Sequence, residues 1–107
     1  MKKTYHDEII KTFLNNLQHF DDYFNFSIDT ILTNVYIQKG EIDIILESYK
    51  GERALIEVKE NAKNMHKFLS KQINTYKKHN PHASIYLLLG RETKSLNHKD
   101  FILKQYI

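Results

Sequence analysis

The sequence predicts an α/β domain in which helices flank a mixed sheet of about four strands. Residues 4–20 carry apolar side chains at three- and four-residue spacing, which is typical of an amphipathic helix. Residues 31–37, 40–46 and 54–60 are short strand-like runs separated by turn residues, which predicts a three-stranded antiparallel meander. A second helical pattern over 62–79 precedes the apolar run 83–89, so we expect that run to join the sheet as a parallel strand covered on both faces.

The first helix is expected to begin at Thr4, an N-cap residue followed by acidic side chains in the first turn. Its apolar face consists of Ile9, Ile10, Phe13, Leu14, Leu17 and Phe20. At about 100° per residue, His6 lies at the centre of this face, Asp7 just beyond its edge and Glu8 nearly opposite. Glu8 is therefore expected to face solvent.

The stretch from Gly40 to Lys59 places charged side chains inside two apolar strand patterns. Because side chains alternate along a strand, Glu57 and Lys59 should share one face, opposite Val58. A hairpin through Gly51 would bring Asp43 near Glu57. Neighbouring carboxylates repel unless a cation compensates them, and hard oxygen ligands suit Mg²⁺. We therefore expect a magnesium site at Asp43 and Glu57, with Mn²⁺ as the other candidate ion.

An Asp followed by Glu-x-Lys on the next strand resembles the PD-(D/E)XK nuclease superfamily. The Gly40-Glu41-Ile42-Asp43 start and the Ile56-Glu57-Val58-Lys59 strand look closest to archaeal Holliday-junction resolvases and small RecB-type nuclease domains. The resemblance implies a restriction-endonuclease-like core and metal-dependent cleavage of nucleic acid, with Lys59 acting beside the metal.

The resemblance also points to residues on both helices. Nucleases of this type often take a further metal ligand from the first helix, and both His6 and Asp7 are retained as candidates. Each has an alternative interpretation, a histidine at the edge of the core and an aspartate that complements the helix dipole. Gln72 and Tyr76 match the Gln-x-x-x-Tyr motif of RecB-type nucleases, which lies near the active site, although they could equally be ordinary core residues.

The two halves of the chain differ in charge. Residues 1–62 carry seven basic and eleven acidic side chains, whereas residues 63–107 carry nine basic and two acidic ones. This asymmetry indicates a metal-binding half and a half that binds a polyanion. The expected nucleic-acid contacts are Lys67, Lys71, Lys77 and Lys78, on or beside the second helix.

Length and composition limit the other possibilities. We expect 107 residues to form a single domain with one core. The chain has no cysteine, which excludes disulfides and thiolate metal sites. It has no apolar run long enough to cross a bilayer, and polar residues follow Met1-Lys2-Lys3-Thr4 where a signal peptide would be apolar. A soluble cytoplasmic protein without membrane contact is expected.

The tail from Asn97 to Ile107 is expected to be a capped helix, with a final strand as the alternative.

The function expected from these features is metal-dependent hydrolysis of phosphodiester bonds in DNA. Its catalytic residues would be Asp43, Glu57, Lys59, Gln72 and Tyr76. A domain this small would select DNA structure or ends, as a homodimer or within a larger nucleic-acid-processing complex. The alternatives are an inactive nuclease fold that binds nucleic acid or protein, and an RNA nuclease subunit of a defence or mobile-element complex.

Overall fold

The computed structural model describes residues 4–37, 40–60, 71–90 and 101–106. Two α-helices, α1 (Tyr5–Asn15) and α2 (Ile73–His79), and one 3₁₀ helix (Leu17–Tyr23) accompany a sheet of five strands. The strands are β1 (Thr30–Ile37), β2 (Gly40–Glu47), β3 (Arg53–Lys59), β4 (Ser84–Gly90) and β5 (Phe101–Gln105). They lie in the order β1-β2-β3-β4-β5, with β3 and β4 parallel and the other neighbours antiparallel. The predicted α/β class, the meander and the parallel fourth strand are confirmed, and the sheet has one strand more than expected.

Helix α1 begins as the sequence predicts and ends earlier. Thr4 forms a capping box with Asp7, and Ile9 and Phe13 are fully buried. The α-helix was expected to reach Phe20 but ends at Asn15, because the side chain of Asn16 donates a 2.8 Å hydrogen bond to the carbonyl of Thr12. The chain then tightens into the 3₁₀ helix, which still buries Phe20.

Apolar side chains pack on both faces of the sheet. On the face that α1 covers, Ile9 and Phe13 join Ile56, Val58 and Leu88 in one cluster. On the other face, a second cluster packs beneath α2, formed by Ile42, Ile45, Leu55, Ile73, Tyr76, Ala83, Ile85 and Leu87. Strands β3 and β4 are therefore buried on both faces, as predicted for the run of residues 83–89.

The C-terminal element is a strand, so the prediction of a helix over the tail is wrong for the residues that the structure describes. Strand β5 pairs antiparallel with β4, with Phe101 opposite Gly90 and Gln105 opposite Tyr86. Phe101 and Leu103 are buried while Ile102 and Lys104 are exposed, which is the two-residue period of a strand on one face of a core. The proposed cap, Asn97, lies outside the described residues.

The second helix is confirmed over Ile73–His79, where Ile73 and Tyr76 are buried as its predicted apolar face requires. The start of that pattern, with Met65, Lys67, Phe68 and Leu69, lies outside the described residues. In the part of the chain that the structure describes, no helix has the length and apolar character that crossing a membrane requires.

Candidate functional site

Strands β2 and β3 part at the point where the predicted acidic residues lie. Their paired residues run from Glu47–Arg53 to Ile44–Ile56, so Asp43 and Glu57 are the next positions beyond the ladder. If the pairing of β2 with β3 continued in the same register, Ile42 would lie opposite Val58. Instead, Oδ2 of Asp43 accepts a 2.8 Å hydrogen bond from the backbone N–H of Val58. The Asp43 carboxylate thus takes the place of a strand partner and lies between the two strands.

The backbone changes direction at Asp43. Side chains two residues apart on a strand normally share a face, yet Ile42 packs in the cluster beneath α2 and Ile44 in the cluster beneath α1. On the neighbouring strand, Asn34 has a φ of 52° and falls between the paired positions Thr33–Ile44 and Val35–Ile42. This distortion allows Asp43 to reach groups on both faces of the sheet.

His6 approaches Asp43 from the first turn of α1. Its Nε2 lies 3.4 Å from Oδ2 of Asp43 and 3.1 Å from the carbonyl oxygen of Val58. The hydrogen bond to Asp43 raises the pKa of His6, against the opposing effect of burial. Burial tends to raise the pKa of Asp43, but hydrogen bonds from His6, Glu57 and Val58 outweigh it, so the pKa is lowered. His6 and Asp43 therefore form an ion pair across the edge of the core when His6 is protonated.

Glu57 is buried and held by Tyr76 of α2. The Tyr76 hydroxyl donates to Oε2 of Glu57 and lies 2.9 Å from the carbonyl oxygen of Glu41, a second acceptor for the same proton. Burial and the neighbouring Asp43 raise the pKa of Glu57 to about 8, although Tyr76 and Lys59 oppose the shift. Burial beside Glu57 also raises the pKa of Tyr76. At neutral pH the pair Asp43 and Glu57 therefore retains one proton.

Lys59 lies beside Glu57, as the alternation of β3 predicts. Its Nζ is 3.8 Å from Oε1 of Glu57, and its side chain is 14% exposed. Val58 points to the opposite face and joins the cluster beneath α1. A cation, a protonatable acid and the Asp43 carboxylate thus meet where β2 and β3 separate.

Two contacts that the sequence did not indicate fix the N-terminus of α1. Oε1 of Glu60, the residue after β3, accepts a 3.1 Å hydrogen bond from the backbone N–H of His6. Gly90 lies so close to α1 that an added Cβ would be 2.6 Å from Cδ1 of Ile9. Glu60 could have been noticed only as a third charged residue after Glu57 and Lys59, since its contact joins residues 54 positions apart.

Gln72 comes directly before α2, one helical turn from Tyr76. Its Oε1 is buried and has no hydrogen-bond partner among the described residues. A buried amide oxygen without a donor is unfavourable by about 1–3 kcal/mol. The expected role of Gln72 near a site stays a prediction.

The other predicted residues lie away from this cluster. Asp7 is exposed, and its carboxylate accepts the N–H of Thr4 in the capping box, so the structure brings His6 rather than Asp7 to the carboxylates. Glu8 is exposed, as expected. Lys71 and Lys78 are exposed on or beside α2, whereas Nζ of Lys77 donates a 3.0 Å hydrogen bond to the carbonyl of Ala83. Lys67 lies outside the described residues.

No protein-family model, no curated protein and no solved structure matches this chain.

His6, Asp43 and Glu57 each offer a ligand atom, and these atoms lie within 4.8 Å of one another. We refer to the three residues as the acid–histidine cluster. Two carboxylates and an imidazole suit a divalent ion, with Mn²⁺ accepting the nitrogen ligand more readily than Mg²⁺. The raised pKa of Glu57 is what burial and a second close carboxylate without a cation should produce. The donor set therefore fits a metal, whose binding would require release of the protons held by His6 and Glu57.

Proposed function

We propose that the chain is a nuclease that hydrolyses phosphodiester bonds in DNA with the help of Mg²⁺ or Mn²⁺, as a structure-selective endonuclease. The observation that carries the proposal is the convergence of the acid–histidine cluster with Lys59 at the opening between β2 and β3. Carboxylates, an ammonium and a half-buried imidazole are the groups needed to bind a cation and a phosphate together.

Each residue has a role that its position supports. Asp43 and Glu57, with His6, would hold the ion, which supplies Lewis-acid stabilisation of the phosphate and lowers the pKa of an attacking water. Lys59 would hold a phosphoryl oxygen and stabilise the negative charge that develops in the transition state. Tyr76 would orient Glu57 through its hydroxyl, and Gln72, one helical turn away, would accept a hydrogen bond from a ligand with its Oε1, which has no partner among the described residues.

A nucleic-acid-binding module without catalysis is the second candidate. It is favoured because the polar groups of the cluster already have partners within the protein: His6 contacts Asp43 and Val58, and Glu57 contacts Tyr76. A binding protein could keep this network as a means of joining α1, β2, β3 and α2.

The deciding experiment incubates the purified protein with linear, branched and single-stranded DNA and with RNA, in Mg²⁺, Mn²⁺ or EDTA. The nuclease predicts cleavage that requires metal, is greatest on a branched or single-stranded DNA, and disappears in Asp43→Asn. Binding without cleavage in either metal would instead identify the binding module. Cleavage confined to RNA would identify an RNA nuclease.

A further inference from the structure

A cavity of about 500 Å³ lies at the end of the sheet away from the acid–histidine cluster. Its walls come from Asn25 and Phe26 before β1, the turn between β2 and β3, and the turn between α2 and β4. Arg53 at this end of β3 is four residues from Glu57, which corresponds to about 13 Å along a strand. The volume falls within the range of pockets that bind small organic ligands, about 300–1,000 Å³.

The cavity carries an excess of groups that can bind an anion. Lys50, Arg53, His79 and His82 line it, and all four are exposed. The guanidinium of Arg53 is held in place, because Nε donates to Glu47 at 2.8 Å and Nη1 to the side chain of Asn80 at 3.1 Å. A guanidinium has five N–H donors in a rigid fork, so further donors remain for a ligand.

Glu52 also lines the cavity and Glu47 forms an ion pair with Arg53, so the cavity offers more anion-binding groups than carboxylates but little net positive charge. Oε1 of Glu52 accepts a 3.1 Å hydrogen bond from the hydroxyl of Ser48, which also accepts the backbone N–H groups of Lys50 and Glu52. These bonds fix the turn that carries Lys50 and Arg53. The facing turn is fixed by the 3.1 Å hydrogen bond from the N–H of Ala83 to the carbonyl of Asn80. Both walls are therefore ordered before a ligand arrives, which lowers the cost of binding.

Flat apolar groups complete the lining, namely Phe26, Pro81 and the ring of Tyr86. Cations for a phosphate beside flat surfaces for a base are the features that bind nucleotides whose bases are unpaired. We propose that this cavity binds one nucleotide of a single-stranded segment, with its phosphate on Lys50 and Arg53 and its base against Phe26 and Pro81. Its role rests on the proposed nuclease function, where it would hold an unpaired strand beyond the cleaved bond.

The test measures binding in EDTA, where no cleavage occurs. Deoxyadenosine monophosphate, deoxyadenosine and inorganic phosphate are titrated into the protein, and backbone amide shifts are followed by NMR. The monophosphate should shift the amides of residues 50–53, 79, 80 and 82–84, phosphate should shift the same amides more weakly, and the nucleoside should bind least. Lys50→Gln and His82→Ala, both at exposed positions, should each weaken binding, and Lys50→Gln with Arg53→Gln should weaken it by about tenfold or more. Lys11→Gln, an equal loss of charge on α1, should leave binding unchanged.

A short single-stranded oligonucleotide should compete with the monophosphate in the same buffer. The inference is overturned if saturating monophosphate leaves these amides unshifted, if Lys50→Gln binds as the wild type does, or if the oligonucleotide fails to compete. Asp43→Asn separates this inference from the proposed function. The variant should lose cleavage and keep the cavity's affinity, so that failure of the nuclease assay with intact nucleotide binding would leave the cavity assignment standing.

Discussion

Glu57 is the residue whose protonation sets the charge of the site. It is 5% exposed and lies beside Asp43, which already carries a negative charge. Ionising it in the folded protein is therefore unfavourable, and its pKa is raised from 4.5 to about 8. In the unfolded chain the same carboxyl ionises at its ordinary value. Between pH 4.5 and about 8, the folded protein therefore holds a proton on Glu57 that the unfolded chain has released.

Stability without metal should therefore fall as the pH rises from 5.5 to 8.5. A group whose pKa is higher in the folded protein stabilises the fold at pH values below its unfolded-state pKa. That stabilisation is lost as the pH rises through its folded-state pKa. His6, whose pKa is also raised, acts in the same direction, and the lowered pKa of Asp43 matters only in more acidic solution. The expected loss is on the order of 2 kcal/mol. Urea unfolding in EDTA at the two pH values measures it.

Glu57→Gln provides the control, because the amide keeps the shape of the side chain and cannot ionise. Its stability should vary less with pH than that of the wild type, because the contribution of Glu57 is removed while that of His6 remains. Equal pH dependence in the two proteins would show that Glu57 ionises in the folded state as it does in water.

Lys59→Ala should abolish cleavage while fold and DNA affinity stay nearly unchanged. The Lys59 ammonium lies 3.8 Å from Glu57 and would act on the charge of the transition state, so its removal should lower kcat far more than binding. Single-turnover cleavage and a binding titration in Ca²⁺ measure the two effects. Lys11→Gln on α1 is the matched control for a lost positive charge. A rate equal to the wild-type rate in Lys59→Ala would remove Lys59 from the catalytic residues.

At the scale of secondary structure, two contacts help α1 to place His6 in the site, in addition to the buried packing of Ile9 and Phe13 on the sheet. Gly90 permits α1 to approach β4 closely, and Glu60 accepts the N–H of His6. The N-cap at Thr4 and the apolar spacing of α1 were readable from the sequence, since both are local patterns. The height and tilt of the helix over the sheet depend on contacts between residues far apart in the chain, so they were not.

Gly90→Ala should move α1 and weaken metal binding. The new methyl group would lie 2.6 Å from Cδ1 and 2.8 Å from Cγ1 of Ile9, three residues from His6. We expect a destabilisation of about 1–3 kcal/mol and a lower affinity for Mn²⁺, measured by thermal unfolding and calorimetry. In the double variant with Ile9→Val, the atom nearest to the new methyl group is absent, so part of the Mn²⁺ affinity should return. Unchanged Mn²⁺ affinity in Gly90→Ala would mean that the position of α1 does not matter to the metal.

The strands show where local patterns suffice and where they fail. Glu57 and Lys59 share a face because alternation along a strand is a local property, and the hairpin brings Asp43 to Glu57 as expected. The change of direction at Asp43, which places Ile42 and Ile44 in different clusters, lies beside the left-handed backbone of Asn34 in the neighbouring strand, and the two-residue alternation of a strand does not indicate it. In the tail, the cap signal at Asn97 predicted a helix, but pairing with β4 and burial of Phe101 and Leu103 stabilise a strand.

At the scale of the whole molecule, the acid–histidine cluster joins α1, β2 and β3, and Tyr76 adds α2. A cation bound there should stabilise the entire fold, because it binds the native state and relieves the repulsion between Asp43 and Glu57. Thermal unfolding with and without Mn²⁺ at pH 8 should show a higher Tm with metal for the wild type. The two curves should coincide for Asp43→Asn. If the wild type shows no shift at 10 times the concentration that supports cleavage, the cluster is not the metal site.

The charge asymmetry of the chain leads to a prediction about DNA binding rather than catalysis. Lys71 and Lys78 are exposed, whereas the ammonium of Lys77 already donates to the carbonyl of Ala83. Each lost phosphate contact should reduce the slope of log affinity against log salt by about one unit. Lys71→Gln with Lys78→Gln should therefore reduce it by about two units, Lys77→Gln by less, and Lys11→Gln on α1 not at all. DNA binding measured in EDTA across a salt series provides the slopes, and an unchanged slope in the double variant would place the DNA path away from α2.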